Sequence, residues 1–98
     1  MPIILQYFST RYIWIFLFFG TDVNENRAHV HAGKVNSEKA CKVWLEPNVE
    51  MAKKGSLTDK EVKTVLKIVS EHHQKLLEQW GKFKNGQKTK KIKVYENG

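Results

Sequence analysis

Two histidines stand one residue apart in "RAHVHAGKVNSEKACKVWLEP", residues 27 to 47, followed by a lysine, a tryptophan and a glutamate. Histidine is the side chain whose unperturbed proton affinity lies nearest neutral pH, and it is also the commonest metal ligand. Three chemistries therefore compete for His29 and His31. As a general base and acid beside cationic Arg27 and Lys42, they would suit RNA cleavage, where negative charge builds in the transition state. As ligands at i and i+2 of a strand they could share one ion, but zinc needs at least a third protein ligand. As part of a recognition surface they would flank Trp44, whose ring beside Arg27 and Lys42 offers stacking next to positive charge. A plainer reading has both histidines hydrogen-bonded within a sheet face, with Trp44 packed over them.

The strands that would position these residues follow from their pattern. A tight turn centred on Asn36-Ser37 pairs Val30 with Val43, Ala32 with Cys41, His31 with Lys42, His29 with Trp44 and Arg27 with Glu46. Apolar residues then share one face and polar or aromatic residues the other, which a slip of one residue would destroy. Cys41 points to the apolar face and reads as a buried structural thiol. Glu46 shares the histidine face but is set against Arg27, and the chain has no Cys-x-x-Cys pair. No metal and no cofactor is assigned on this reading, and whether the protein is an enzyme stays open.

The chain of 98 residues carries a net charge of +7 and a pI near 9.6, which favours anionic partners such as RNA, DNA or an acidic protein. One core of helix on sheet is what this length supports. The single cysteine allows no internal disulfide and fits a reducing cytoplasm. "YIWIFLFF" belongs to an apolar run of residues 12 to 20 that ends at Thr21 and Asp22, short of the roughly 20 residues a spanning helix needs. No membrane association is expected, and the sequence does not fix the oligomeric state.

Residues 3 to 8 and 11 to 19 read as strands joined by Ser9-Thr10; "GTDVNEN" reads as a polar loop, and "VEMA" as a short extra strand or a lead-in. Thr58, with Glu61 three residues on, is a capping box, and Leu57 with Val62 a hydrophobic staple. Val62, Val65, Leu66, Val69, Leu76, Leu77 and Trp80 then recur at helical spacing, His73 falls within their stripe, and Gly81 is a plausible stop. After Gly81 six lysines follow, among them Lys88, Lys90 and Lys91. This segment suits either a flexible basic tail adding salt-sensitive affinity for nucleic acid, or an edge strand over 92 to 95 guarded by lysine.

The expected fold is α+β: an antiparallel sheet of about four strands, one long C-terminal helix packed on one face, and an extra terminal strand as an option. Residues 1–84 form the domain and 85–98 the basic tail or edge strand. The inner face is expected to gather Val30, Val43 and Leu45 against Val62, Leu66, Val69, His73, Leu76 and Trp80. The opposite face should show Arg27, His29, His31, Lys42 and Trp44 to a partner.

A start of Met-Pro-Ile-Ile, an aromatic strand opening with Arg-Tyr, then "HVHA", "KVWLEP" and a charged helix closing near "EQWGKF" occur in that order. In these features residues 1 to 84 resemble a small prokaryotic family known as domain of unknown function 4160. Members commonly carry prolines just before the first histidine, where this chain has Arg27 and Ala28. The resemblance implies a partner: a cognate small protein encoded nearby, the two described together as a toxin-antitoxin module. It implies no catalytic residues.

Overall fold

The computed structural model describes residues 3–96; the Met1-Pro2 start and the last two residues of the tail lie outside the described residues. The elements run β1 (Ile3–Phe8), β2 (Ile13–Leu17), β3 (His29–Lys34), β4 (Ala40–Trp44), β5 (Glu50–Lys53), α1 (Asp59–Glu71), α2 (His73–Lys84) and β6 (Ile92–Tyr95), with a 3-10 turn at Gly20–Asn24 between β2 and β3. The strands form one sheet in the order β5-β4-β3-β2-β1-β6. Every neighbouring pair is antiparallel except β1 and β6, which are parallel.

The architecture is α+β, as the sequence implies, but the sheet has six strands rather than about four and is mixed rather than wholly antiparallel. The lysine-rich segment supplies one of the additional strands. Leu5 to Phe8 pair with Ile92 to Tyr95, Tyr95 stacks on Phe8 with ring centroids 4.9 Å apart, and the Lys90 N–H donates to the buried Gln79 side chain at 2.8 Å. "VEMA" supplies the other, as β5 on the opposite edge.

The hairpin of β3 and β4 adopts the register its faces demand: His29 opposite Trp44, Val30 opposite Val43, His31 opposite Lys42 and Ala32 opposite Cys41. Asn36 takes the left-handed conformation at the turn (φ 64°), which asparagine tolerates better than most residues. Val30, Ala32, Cys41 and Val43 enter the core beside Leu5, Trp14 and Phe16.

The single long helix is instead two helices that meet at His72. The capping box is present: Thr58 Oγ1 accepts from Glu61 N–H at 3.2 Å, and Glu61 Oε1 from Thr58 N–H at 2.9 Å. No proline or glycine causes the break. The His72 N–H is shared between the carbonyls of Ile68 and Val69, and its ring Nδ1 lies 2.9 Å from the same Ile68 oxygen. A side chain that claims a helix carbonyl competes with the backbone ladder, a recognised source of bends. His73 Nε2 then meets the Leu45 carbonyl at 2.7 Å, which ties the start of α2 to the end of β4. Gly81 does not stop the helix; α2 continues to Lys84, and Gly86 takes the left-handed conformation just beyond (φ 71°).

Val65, Ile68, Val69, Leu76 and Trp80 are the buried helix residues of the core, whereas Val62 and Leu66 are only partly covered. Among the described residues no helix is long and apolar enough to cross a membrane.

Candidate functional site

β2 ends on the buried Leu17, buried Phe18 follows it, and the chain must turn back to begin β3 at His29. The 3-10 turn makes that reversal, and Asp22 is its anchor. The Asp22 carboxylate accepts the Phe19 N–H at 2.8 Å, while the Asp22 N–H donates to the Phe19 carbonyl at 2.9 Å. This closed ring folds the turn over the start of β3 and buries Asp22 to 4% exposure, unusual for a carboxylate unless it is paired.

Its partners are the two histidines. Asp22 Oδ1 lies 3.0 Å from His29 Nε2, and Oδ2 lies 3.2 Å from His31 Nε2. Strand alternation puts both rings on one face, and the turn lays the carboxylate between them. His29 Nδ1 is 3.0 Å from the Arg27 carbonyl, an acceptor, so this nitrogen carries a proton. Nε2 is then the nitrogen left to face Asp22. Its separation from Oδ1 would suit a hydrogen bond, but the direction does not, and the fully buried atom has no hydrogen-bond partner.

The expectation that His29 faces a partner is overturned: the residue is fully buried. Its ring lies between Trp44 and Trp80, with centroids 5.8 and 5.0 Å away, and His31 meets it edge-on at 5.2 Å. The strand face is the one expected, but the 3-10 turn and the end of α2 cover it. Helix and turn therefore meet at this end of the sheet, where Lys84 Nζ bonds the Val23 and Glu25 carbonyls at 2.6 and 2.7 Å. His31 is the accessible member, its side chain 20% exposed, with the Phe19 ring 4.4 Å from it.

The electrostatics fit this burial. Desolvation pushes the Asp22 carboxyl up, but the Phe19 N–H and the nearness of His29 and His31 outweigh it, so it sits below its ordinary value. Burial pushes His31 down against the pull of Asp22, and His29 and Lys42 push the same way, leaving His31 below its ordinary value.

Beside this cluster lies the cationic surface expected from the sequence, without His29. The Arg27 guanidinium carbon is 4.0 Å from the Trp44 ring centroid and Lys42 Nζ 4.6 Å. Arg27 is exposed, and Lys42 and Trp44 are half-buried. Arg27 does not pair with the Glu46 carboxylate; its Nε donates to the Glu46 carbonyl at 2.8 Å, and among the described residues its terminal nitrogens make no hydrogen bond. Lys42 Nζ bonds Glu25 Oε2 at 3.3 Å. Lys88, Lys90 and Lys91 lie on the connection between α2 and β6, and all three are exposed.

Cys41 is buried, and desolvation pushes its thiol up to about 11, as befits a structural residue. Asp22 is the residue that sequence reasoning missed. Its one signal is distance: a link this short between strands of opposite direction must fold back near the start of β3, and an aspartate there lies within reach of both histidines.

Neither the curated proteins nor the solved structures include a significant match to this chain. A family model does match, over residues 13–81, from the start of β2 into α2 and across both the histidine cluster and the Trp44 surface. With most of its length so matched, the chain belongs to the family described as domain of unknown function (DUF4160).

Proposed function

We propose that this protein is a recognition module that binds an acidic partner protein through Arg27, Trp44 and Lys42. The observation that supports it most is the Arg27 guanidinium held 4.0 Å over Trp44 with its Nε already occupied by the Glu46 carbonyl. A guanidinium placed in this way is preordered, so less rotamer freedom is lost when its remaining N–H groups take a carboxylate. The partner most in keeping with the family resemblance is a small protein encoded beside this one, the two forming a toxin-antitoxin-like pair in the cytoplasm. Single-stranded RNA is the second ligand class, favoured by the net charge of +7 and by the aromatic ring beside two cations. A ribonuclease pairing of His29 with His31 has less support, because His29 presents no surface to a polynucleotide.

The test is a titration of the purified protein with the neighbouring gene's product and, separately, with a labelled single-stranded RNA, each at low and physiological salt. Binding that persists at physiological salt and weakens at least about tenfold in Trp44→Ala and Arg27→Ala is expected. No binding of either ligand at physiological salt, or equal binding by both variants, would refute the proposal.

A further inference from the structure

The geometry points to a divalent transition-metal site of the zinc class formed by Asp22, His29 and His31, a chemistry independent of the Trp44 surface. One ligand atom from each residue can be chosen so that all three lie within 4.8 Å of one another. From Asp22 Oδ1, His29 Nε2 lies 3.0 Å away and His31 Nε2 3.4 Å. Ligands about 2.0 Å from a tetrahedral ion are separated by roughly 3.3 Å, so Asp22 already stands at ligand spacing from each histidine. Two imidazoles and a carboxylate suit zinc and its borderline neighbours better than magnesium or calcium, which take mainly oxygen.

A second observation concerns the hydrogen bonding of His29. His29 is fully buried, and its Nδ1–H is committed to the Arg27 carbonyl. In the neutral ring Nε2 is therefore a bare lone pair, and it faces a carboxylate oxygen 3.0 Å away without hydrogen-bond alignment. Two acceptors directed at each other in a buried site repel unless a cation lies between them. A metal ligated by Nε2 and Oδ1 supplies that cation, as a proton on Nε2 also would, and the titration below tells the two apart. The Nδ1–H to backbone carbonyl bond is also the outer-shell arrangement that metal-bound histidines commonly show, because it fixes the tautomer and aims the ring. Asp22 is oriented in the same way by the Phe19 N–H.

Access is on the His31 side, where that side chain is 20% exposed. Three protein ligands leave a further coordination position, and from that side water or a substrate oxygen can reach it. A bound ion also links the 3-10 turn to β3 through bonds that the apo chain lacks, so metal binding stabilises the fold.

The experiment uses the full-length protein without a histidine tag, stripped with a chelator and then titrated with Zn2+ against a chromophoric competitor, with Co2+ absorption as the spectroscopic readout. One equivalent is expected to bind, with a rise in thermal midpoint and no thiolate-to-cobalt charge-transfer band. Asp22→Asn and His31→Ala should each weaken binding by at least about tenfold, whereas Cys41→Ser and His72→Gln should leave it unchanged. His31→Ala decides the matter if Asp22→Asn does not fold, since the His31 side chain is partly exposed. Absence of saturable binding, undiminished binding by a folded His31→Ala protein, or a thiolate band that Cys41→Ser removes would each overturn the assignment.

Discussion

Removing the His29 ring would empty a fully buried position between Trp44 and Trp80, whereas removing the His31 ring clears a partly exposed one. Urea denaturation of the apo protein should therefore separate the two residues despite their identical chemistry. His29→Ala is expected to lose about 3 kcal/mol, the usual cost of truncating a large buried side chain, and His31→Ala about 1 kcal/mol or less. Equal losses would show that the burial of His29 is not maintained in solution. Gly55 offers a second test at this scale. Its φ is +56°, and a Cβ would fall 2.5 Å from the Ala40 carbonyl oxygen, so Gly55→Ala should cost about 2 kcal/mol in the same assay. Of the chemistry-bearing residues, the types and the strand faces of His29, His31, Lys42 and Trp44 were legible in the sequence. The burial of His29 was not, because it is imposed by Asp22 and Trp80, seven residues before it and 51 residues after it.

The start of α1 is held by more than its cap. Glu61 closes the box with Thr58 and also bonds Lys39 Nζ at 2.7 Å and Lys34 Nζ at 3.2 Å, linking the helix to the β3–β4 hairpin. The Lys39 hydrogen bond first, then the Thr58 N–H and Lys34, hold its carboxyl down at about 2 against an ordinary 4.5. A depressed acid stabilises the fold above its unfolded value and ceases to do so as pH falls through the folded one. Glu61→Gln keeps the capping box and removes the charge, so it should be about 1 kcal/mol less stable than the parent at pH 7. That gap should close between pH 4.5 and 2, measured by denaturant midpoints across the range; a gap independent of pH would sink the ion-pair account. The cap itself was readable as Thr58 and Glu61 because it is local. The break at His72 was not readable, since it depends on His72 reaching the Ile68 carbonyl and His73 reaching Leu45 on the sheet.

Across the whole molecule, α1 and α2 carry the chain from β5 at one edge of the sheet to β6 at the other. β6 covers the outer side of β1, and exposed Lys91 and Lys93 stand on and beside this new edge. A chain ending at Gly86 would expose the ladder groups of Leu5 to Phe8 on an apolar strand, an invitation to edge-to-edge pairing. Light scattering should detect concentration-dependent association in that truncation and none of comparable strength in the full chain. A monodisperse truncated monomer would show that β6 is dispensable for edge protection.

The sequence by itself determined the α+β class, the hairpin register and the capped helix start, because each rests on contacts between near neighbours or on a simple alternation of faces. Its alternation also placed both histidines on one side of the sheet. Only the tertiary structure decided that the lysine-rich segment becomes a parallel strand on β1, that the helix divides, and that Asp22 meets the two histidines. These outcomes depend on how a turn and a helix end close over one corner of the sheet. Such closure is set by three-dimensional packing among distant residues, and periodicity along the chain carries no record of it.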